Sequence, residues 1–101
     1  MCGICGSVSL SGLMEPTATR RRVEAMLQSM AHRGPDDSGI WEQHFPDGGY
    51  VGLGSRRLAI LDLSPDGHMP MCNEDRTVWI TYNGEIYNFA GLRRELEGKG
   101  H

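Results

Sequence analysis

No stretch of this 101-residue chain approaches the ~20 consecutive apolar residues of a membrane-spanning helix, so no membrane partner is expected. The N-terminus lacks the basic segment and apolar run of a secretory signal. Its three cysteines are too few and odd in number for a closed disulfide framework. Together these absences predict reduced thiols and a cytoplasmic setting. Charge of one sign is also scarce, with a formal net charge of −3. The basic run Arg20-Arg21-Arg22 is short and lies on a predicted helix, where it reads as a solvated face, so no nucleic acid partner is expected. No repeat, linker or low-complexity segment interrupts the chain, which has room for one domain. Glycine, by contrast, is plentiful at fourteen residues. Clusters at Gly3 and Gly6, Gly48-Gly49, and Gly52 and Gly54 predict turns and close strand contacts.

The most informative residue is Cys2, in Met-Cys-Gly-Ile. Initiator methionine is readily trimmed before a small residue, which would put a thiol and a free α-amino group on one mature terminus. An ordinary thiol titrates near ~8.5 and an α-amino group near ~7.7–8.0, so the amine can take the thiol proton at neutral pH. One residue then supplies nucleophile and base. The plainer alternative is a small cysteine that packs.

Residues 2–10 read as a strand ended by Ser11-Gly12. Pro16 suits a helix's first turn, and Val23, Met26, Leu27, Met30 and Ala31 recur at helical spacing before Gly34-Pro35. Strands are predicted at Gly39–Gln43, Tyr50–Ser55, Arg57–Asp62 and Thr77–Tyr82, with turns at Pro46–Gly49 and Ser64–Gly67. A second helix fits Phe89–Glu97, with Asn88 as N-cap and Phe89, Leu92 and Leu96 on one face. This inventory predicts an α+β fold.

Several clusters carry chemistry. Asn83-Gly84 between β-like runs is a hairpin signal. The same pair offers a side-chain amide and a backbone N–H to a developing oxyanion. Arg56 and Arg57 are adjacent on a predicted strand and so point to opposite faces. The inward one needs an acidic partner or a ligand carboxylate. Cys2, Cys5, His68 and Cys72 could be assembled as a zinc site of a small interaction module, although their spacing is unusual, and Cys5 and Cys72 read better as buried small apolar residues. Asp36 and Asp37 sit where carboxylates cap backbone N–H groups, and His32 reads as a helix C-cap. Neither segment is assigned a chemical step.

Met-Cys-Gly-Ile (1–4), His-Arg-Gly-Pro-Asp (32–36), Arg-Leu-Ala-Ile-Leu-Asp (57–62), Gly-His-Met-Pro-Met (67–71) and Tyr-Asn-Gly-Glu-Ile-Tyr-Asn (82–88) together resemble the class II glutamine amidotransferase domain. Within it they are most similar to the glutamine-hydrolysing asparagine synthetases. The resemblance implies an N-terminal-nucleophile αββα sandwich, of which residues 1–101 would be the front half. It implies that Cys2 attacks the glutamine amide, that Asn83 and Gly84 form the oxyanion hole, and that Arg57 holds the α-carboxylate. Leu58, Ala59, Ile60 and Leu61 would line the substrate, with Glu85 near its amino group. Ser55 stands where many relatives carry His, and Met69 where Gln is usual; neither is expected to touch the chemistry. No cofactor is expected within this segment; ATP and magnesium would belong to a downstream synthetase domain that amidates aspartate. Implied partners are glutamine, that downstream domain and a second copy in a homodimer. An amidotransferase acting in a secondary-metabolite or cell-surface sugar pathway is the nearest alternative.

Overall fold

Small residues at positions 3, 5, 7 and 9 leave one face of the first strand open to close approach. In the computed structural model, which describes residues 2–10, 12–60 and 63–101, that face meets a helix. Strand β1 (Gly3–Ser9) and strand β2 (Asp37–His44) flank β3 (Tyr50–Arg57) in one antiparallel sheet, order β1-β3-β2. The register places Cys5 opposite Gly54 and Trp41 opposite Leu53. The turn between β2 and β3 closes with Gly48 at φ 87° and the Gly49 N–H donating to Asp47 Oδ1 at 2.8 Å.

Helix α1 (Pro16–Ser29) covers the face of this sheet that carries Cys5 and Gly54. Pro16 stands in its first turn, as the sequence predicts. Its buried residues Thr19, Val23 and Leu27 recur every four positions and so form one stripe. A Cβ on Gly54 would stand 3.1 Å from Leu27, so glycine sets how closely helix and sheet approach. Tyr50, 1% exposed, lies beneath the helix and donates its hydroxyl to Glu42 Oε2 at 3.0 Å. Glu42 Oε1 in turn accepts from Arg20 Nη1 at 2.9 Å, tying α1 to β2. Burial and the Glu42 carboxylate push the Tyr50 phenol up to about 12. The helix ends at Met30, not His32, because the chain leaves helical geometry after Ser29.

The chain then passes beneath the end of β3 at Gly34. A Cβ there would lie 2.4 Å from the Arg56 carbonyl carbon, so only glycine fits. Pro35 bridges to Arg57, and the Asp36 N–H donates to Arg57 O at 3.0 Å. Arg57 is the last residue of the ladder. The expected strand Arg57–Asp62 does not form over residues 58–60, because local partners take the backbone groups it would need. Cys2 engages Leu58, and Asp36 Oδ2 accepts the Ala59 N–H at 2.8 Å. Asp36 thus has the capping role its position predicts.

A second, two-stranded antiparallel sheet pairs β4 (Met71–Cys72) with β5 (Trp79–Ile80). It meets the opposite face of the first sheet, where Trp79 stacks on Trp41 at 4.9 Å and Thr81 Oγ1 donates to Gly54 O at 3.3 Å. The predicted strand Thr77–Tyr82 shrinks to two residues. The Asn73 carboxamide accepts the Thr77 and Val78 N–H groups and holds both in a turn. Helix α2 (Phe89–Gly98) follows, and none of its residues is buried. Asn88 precedes it as predicted, yet its backbone (φ −93°, ψ 25°) is not extended and its side chain makes no capping bond. The fold is mixed α and β, with two small sheets and two α-helices among the described residues. No helix among the described residues is long and apolar enough to cross a membrane.

Candidate active site

Strand alternation decides what the end of β3 can build. Arg56 and Arg57 point to opposite faces, as predicted. Arg56 lies on the α1 side beside Glu24, Leu27 and Gln28, with its Nε buried and no partner for it among the described residues. Arg57 points the other way, into a cleft of about 490 Å³. That cleft also receives Cys2, Leu58, Ala59, Ile60, Asn83, Gly84 and Glu85. All the sequence-derived site residues except Leu61, which lies outside the described residues, therefore converge from three separate parts of the chain.

Cys2 sits just ahead of β1, where the β1–β3 pairing brings it to the end of β3. Its Sγ accepts the Leu58 N–H at 3.3 Å and donates to Leu58 O at 3.7 Å. Its carbonyl accepts from Asn83 Nδ2 at 3.2 Å, across 81 positions of sequence. This contact replaces the expected Asn83-Gly84 hairpin. Residues 81–83 carry no strand pairing, and the side-chain amide finds its partner at Cys2 instead. Cys5 instead faces α1, and burial pushes its thiol up.

Arg57 is positioned at its guanidinium. Nη1 donates to Ser64 O at 2.7 Å, and the group lies directly over Gly67. Ser64 caps the short 3-10 turn Pro65–Gly67 by accepting the Asp66 N–H, so that turn forms as its sequence predicts. The neighbouring His68 is hydrogen-bonded to Asp37 at 2.6 Å, fastening the same loop to β2.

Ser55 and Met69, which the sequence gives no part in the chemistry, line this cleft as well. Ser55 shares the strand face of Arg57 two residues on, so period-two alternation carried the signal. Tyr82 and Gly67 also line it, and sequence reasoning gave them no part. Nor do the proposed zinc ligands assemble. Cys72 is exposed on the second sheet rather than buried, since a two-residue strand leaves it uncovered, and among the described residues no three His, Cys, Asp or Glu side chains are grouped to hold a metal.

Comparison with known proteins gives the same picture. Asparagine synthetase [glutamine-hydrolyzing] 1 of Bacillus subtilis is 41% identical over 101 residues, covering all of this chain and 15% of the relative. Asparagine synthetase [glutamine-hydrolyzing] of Brassica oleracea is 42% identical over 98 residues, covering 96% of this chain and 15% of the relative. Amidase chry2 of Gibberella zeae is 37% identical over 103 residues, at 95% and 15% coverage. The chain thus spans about 15% of the length of these relatives. No solved structure matches it. The glutamine amidotransferase domain matches from residue 1 to residue 101, and the chain belongs to that family.

Proposed function

We propose that this chain is the front part of the glutaminase domain of a cytoplasmic, glutamine-hydrolysing asparagine synthetase, built as an N-terminal-nucleophile αββα sandwich. The observation that carries the reading is the Cys2 thiol held on the Leu58 backbone, with Asn83 bonded to the Cys2 carbonyl and Arg57 in the same cleft.

With Met1 removed, the Cys2 α-amino group takes the thiol proton. Glutamine binds with its α-carboxylate on Arg57, where a guanidinium suits a carboxylate bidentately. Glu85 attracts the substrate ammonium. Sγ attacks the side-chain amide carbon, and the carbonyl electron pair moves onto oxygen. That oxyanion is met by the Gly84 N–H and by Asn83, whose amide keeps a second N–H beyond the one given to Cys2 O. Collapse expels ammonia, which leaves with the proton stored on the α-amino group. Water then cleaves the γ-glutamyl thioester to glutamate.

Released ammonia would serve an ATP- and magnesium-dependent amidation of aspartate in sequence outside this segment, which the much greater length of the relatives supports. The relative named an amidase is 37% identical over 95% of this chain, which supports the glutamine half of the chemistry without fixing the nitrogen acceptor.

Cys2→Ala in the protein that carries this domain should abolish glutamate release and leave ammonia-dependent synthesis intact. Intact-mass analysis should find Cys2 as the first residue. Full glutaminase activity with Met1 retained would remove the amine from the mechanism.

A further inference from the structure

An oxyanion hole acts only if its donors are already aimed where charge develops. Asn83 and Gly84 belong to neither a helix nor a strand, so something else must hold them. Asn83 bonds to Cys2 O and Thr81 to Gly54 O, and the remaining described contacts centre on Tyr82. Its hydroxyl donates to Glu85 O at 3.2 Å, bridging the turn from one side to the other. Its ring lies against Gly84 so closely that a Cβ there would stand 2.6 Å from the hydroxyl oxygen. Its backbone N–H donates to Met69 Sδ at 3.1 Å. Met69 follows His68, which is hydrogen-bonded to Asp37 of β2. The turn is therefore connected to the main sheet through Tyr82 and Met69.

From this geometry we infer that Tyr82 and Met69 are positioning residues that fix the Asn83-Gly84 turn over Cys2, with Tyr82 acting through its hydroxyl and Met69 through its sulfur. The inference rests on the amidotransferase reading. Neither side chain touches the reacting atoms in this scheme. Each acts by holding donors whose interaction strengthens in the transition state, so loss should appear in kcat and not in KM. The glutamine α-carboxylate is held elsewhere, at Arg57. The sulfur also explains why methionine serves here: it fills the gap between loop and turn while offering a weak acceptor.

The test uses the protein that carries this domain, with Tyr82→Phe and Met69→Leu, each of which keeps most of the side-chain volume. Glutamine hydrolysis should lose roughly fivefold in kcat in each variant, the rate equivalent of one net hydrogen bond, with KM within about twofold. Alkylation of Cys2 by iodoacetamide forms no oxyanion and should keep its rate, which a general collapse of the cleft would not allow. Unchanged kcat in both variants, or parallel losses in hydrolysis and alkylation, would overturn the brace. If the unsubstituted protein releases no glutamate from glutamine, the amidotransferase reading fails and the brace fails with it. Unsubstituted activity with unaffected variants sinks the brace alone.

Discussion

Residues 3–57 and residues 64–101 build opposite walls of one cleft with very different degrees of burial. The first region has a central strand paired on both sides, and its Val23, Leu27 and Tyr50 are at most 5% exposed. The second has two strands of two residues, and its helix keeps Phe89, Leu92 and Leu96 at 61%, 41% and 49% exposed. Cys2 and Arg57 are anchored to the first region, whereas Asn83, Gly84 and Glu85 belong to the second. In the proposed mechanism the carboxylate anchor Arg57 thus stands on buried structure, whereas Glu85 and the oxyanion donors stand on lightly buried structure, where local opening costs less. The apolar stripe of α2 and Ile4 and Val8 of β1 are exposed.

The contrast can be broken most directly by stability. Leu27→Ala in the 101-residue chain should cost about 2–5 kcal/mol, as a large-to-small change in a packed site does. Leu92→Ala should cost no more than about 0.5 kcal/mol, as a surface change does. Urea denaturation followed by circular dichroism measures both. Equal losses would mean that α2 is as well packed as α1.

Kinetics sharpen the same division. Asn83→Ala should lower kcat for glutamine by roughly 10²-fold or more, the effect of removing one oxyanion donor, while the melting temperature hardly moves. Arg57→Ala should instead raise KM by roughly ten- to a hundredfold, the value of hydrogen bonds to a charged group. Arg56→Ala, on the other face, should leave KM within about twofold, because its side chain is outside the cleft. A larger KM effect at Arg56 than at Arg57 would reverse the strand facing.

The smallest expected effect lies wholly in the first region. The Tyr50 phenol is raised to about 12, first by burial and then by Glu42. An unfolded tyrosine titrates near ~10, so folding favours the neutral form. The associated stability is complete below pH ~10 and is lost as pH climbs toward the folded value. Tyr50→Phe should flatten that alkaline decline in a pH series of thermal melts.

The sequence was legible where structure is local. Strands β1 to β3, α1 and the Ser64–Gly67 turn announce themselves through alternation, helical spacing, proline and glycine. It was less legible where a distant group captures the backbone. Residues 58–60 look like a strand, but Cys2 and Asp36 take the Leu58 and Ala59 N–H groups. Asn83-Gly84 looks like a hairpin turn, but its amide is claimed by a residue 81 positions away. The helix α2 and its apolar face were legible too, since an amphipathic pattern states which face can be covered without supplying the cover. Cleft residues such as Cys2, Arg57 and Asn83 were readable from motifs. Tyr82 and Met69 were not, because a side chain that braces a turn leaves no spacing signature.

The antiparallel partnership of β1 with β3 places Gly3 opposite Arg56 and Ser9 opposite Tyr50. During biosynthesis at ~5–20 residues per second, the first strand therefore waits roughly 2–10 s for its neighbour to be made. Through that interval residue 2 is an ordinary thiol on an extended nascent tail, without Leu58 or Asn83 beside it. An aminopeptidase that trims Met1 meets an unpaired chain end during this wait. In the proposed mechanism, maturation of Cys2 then belongs to the ribosome-bound stage, and its cleft forms when the polypeptide closes back on its own beginning.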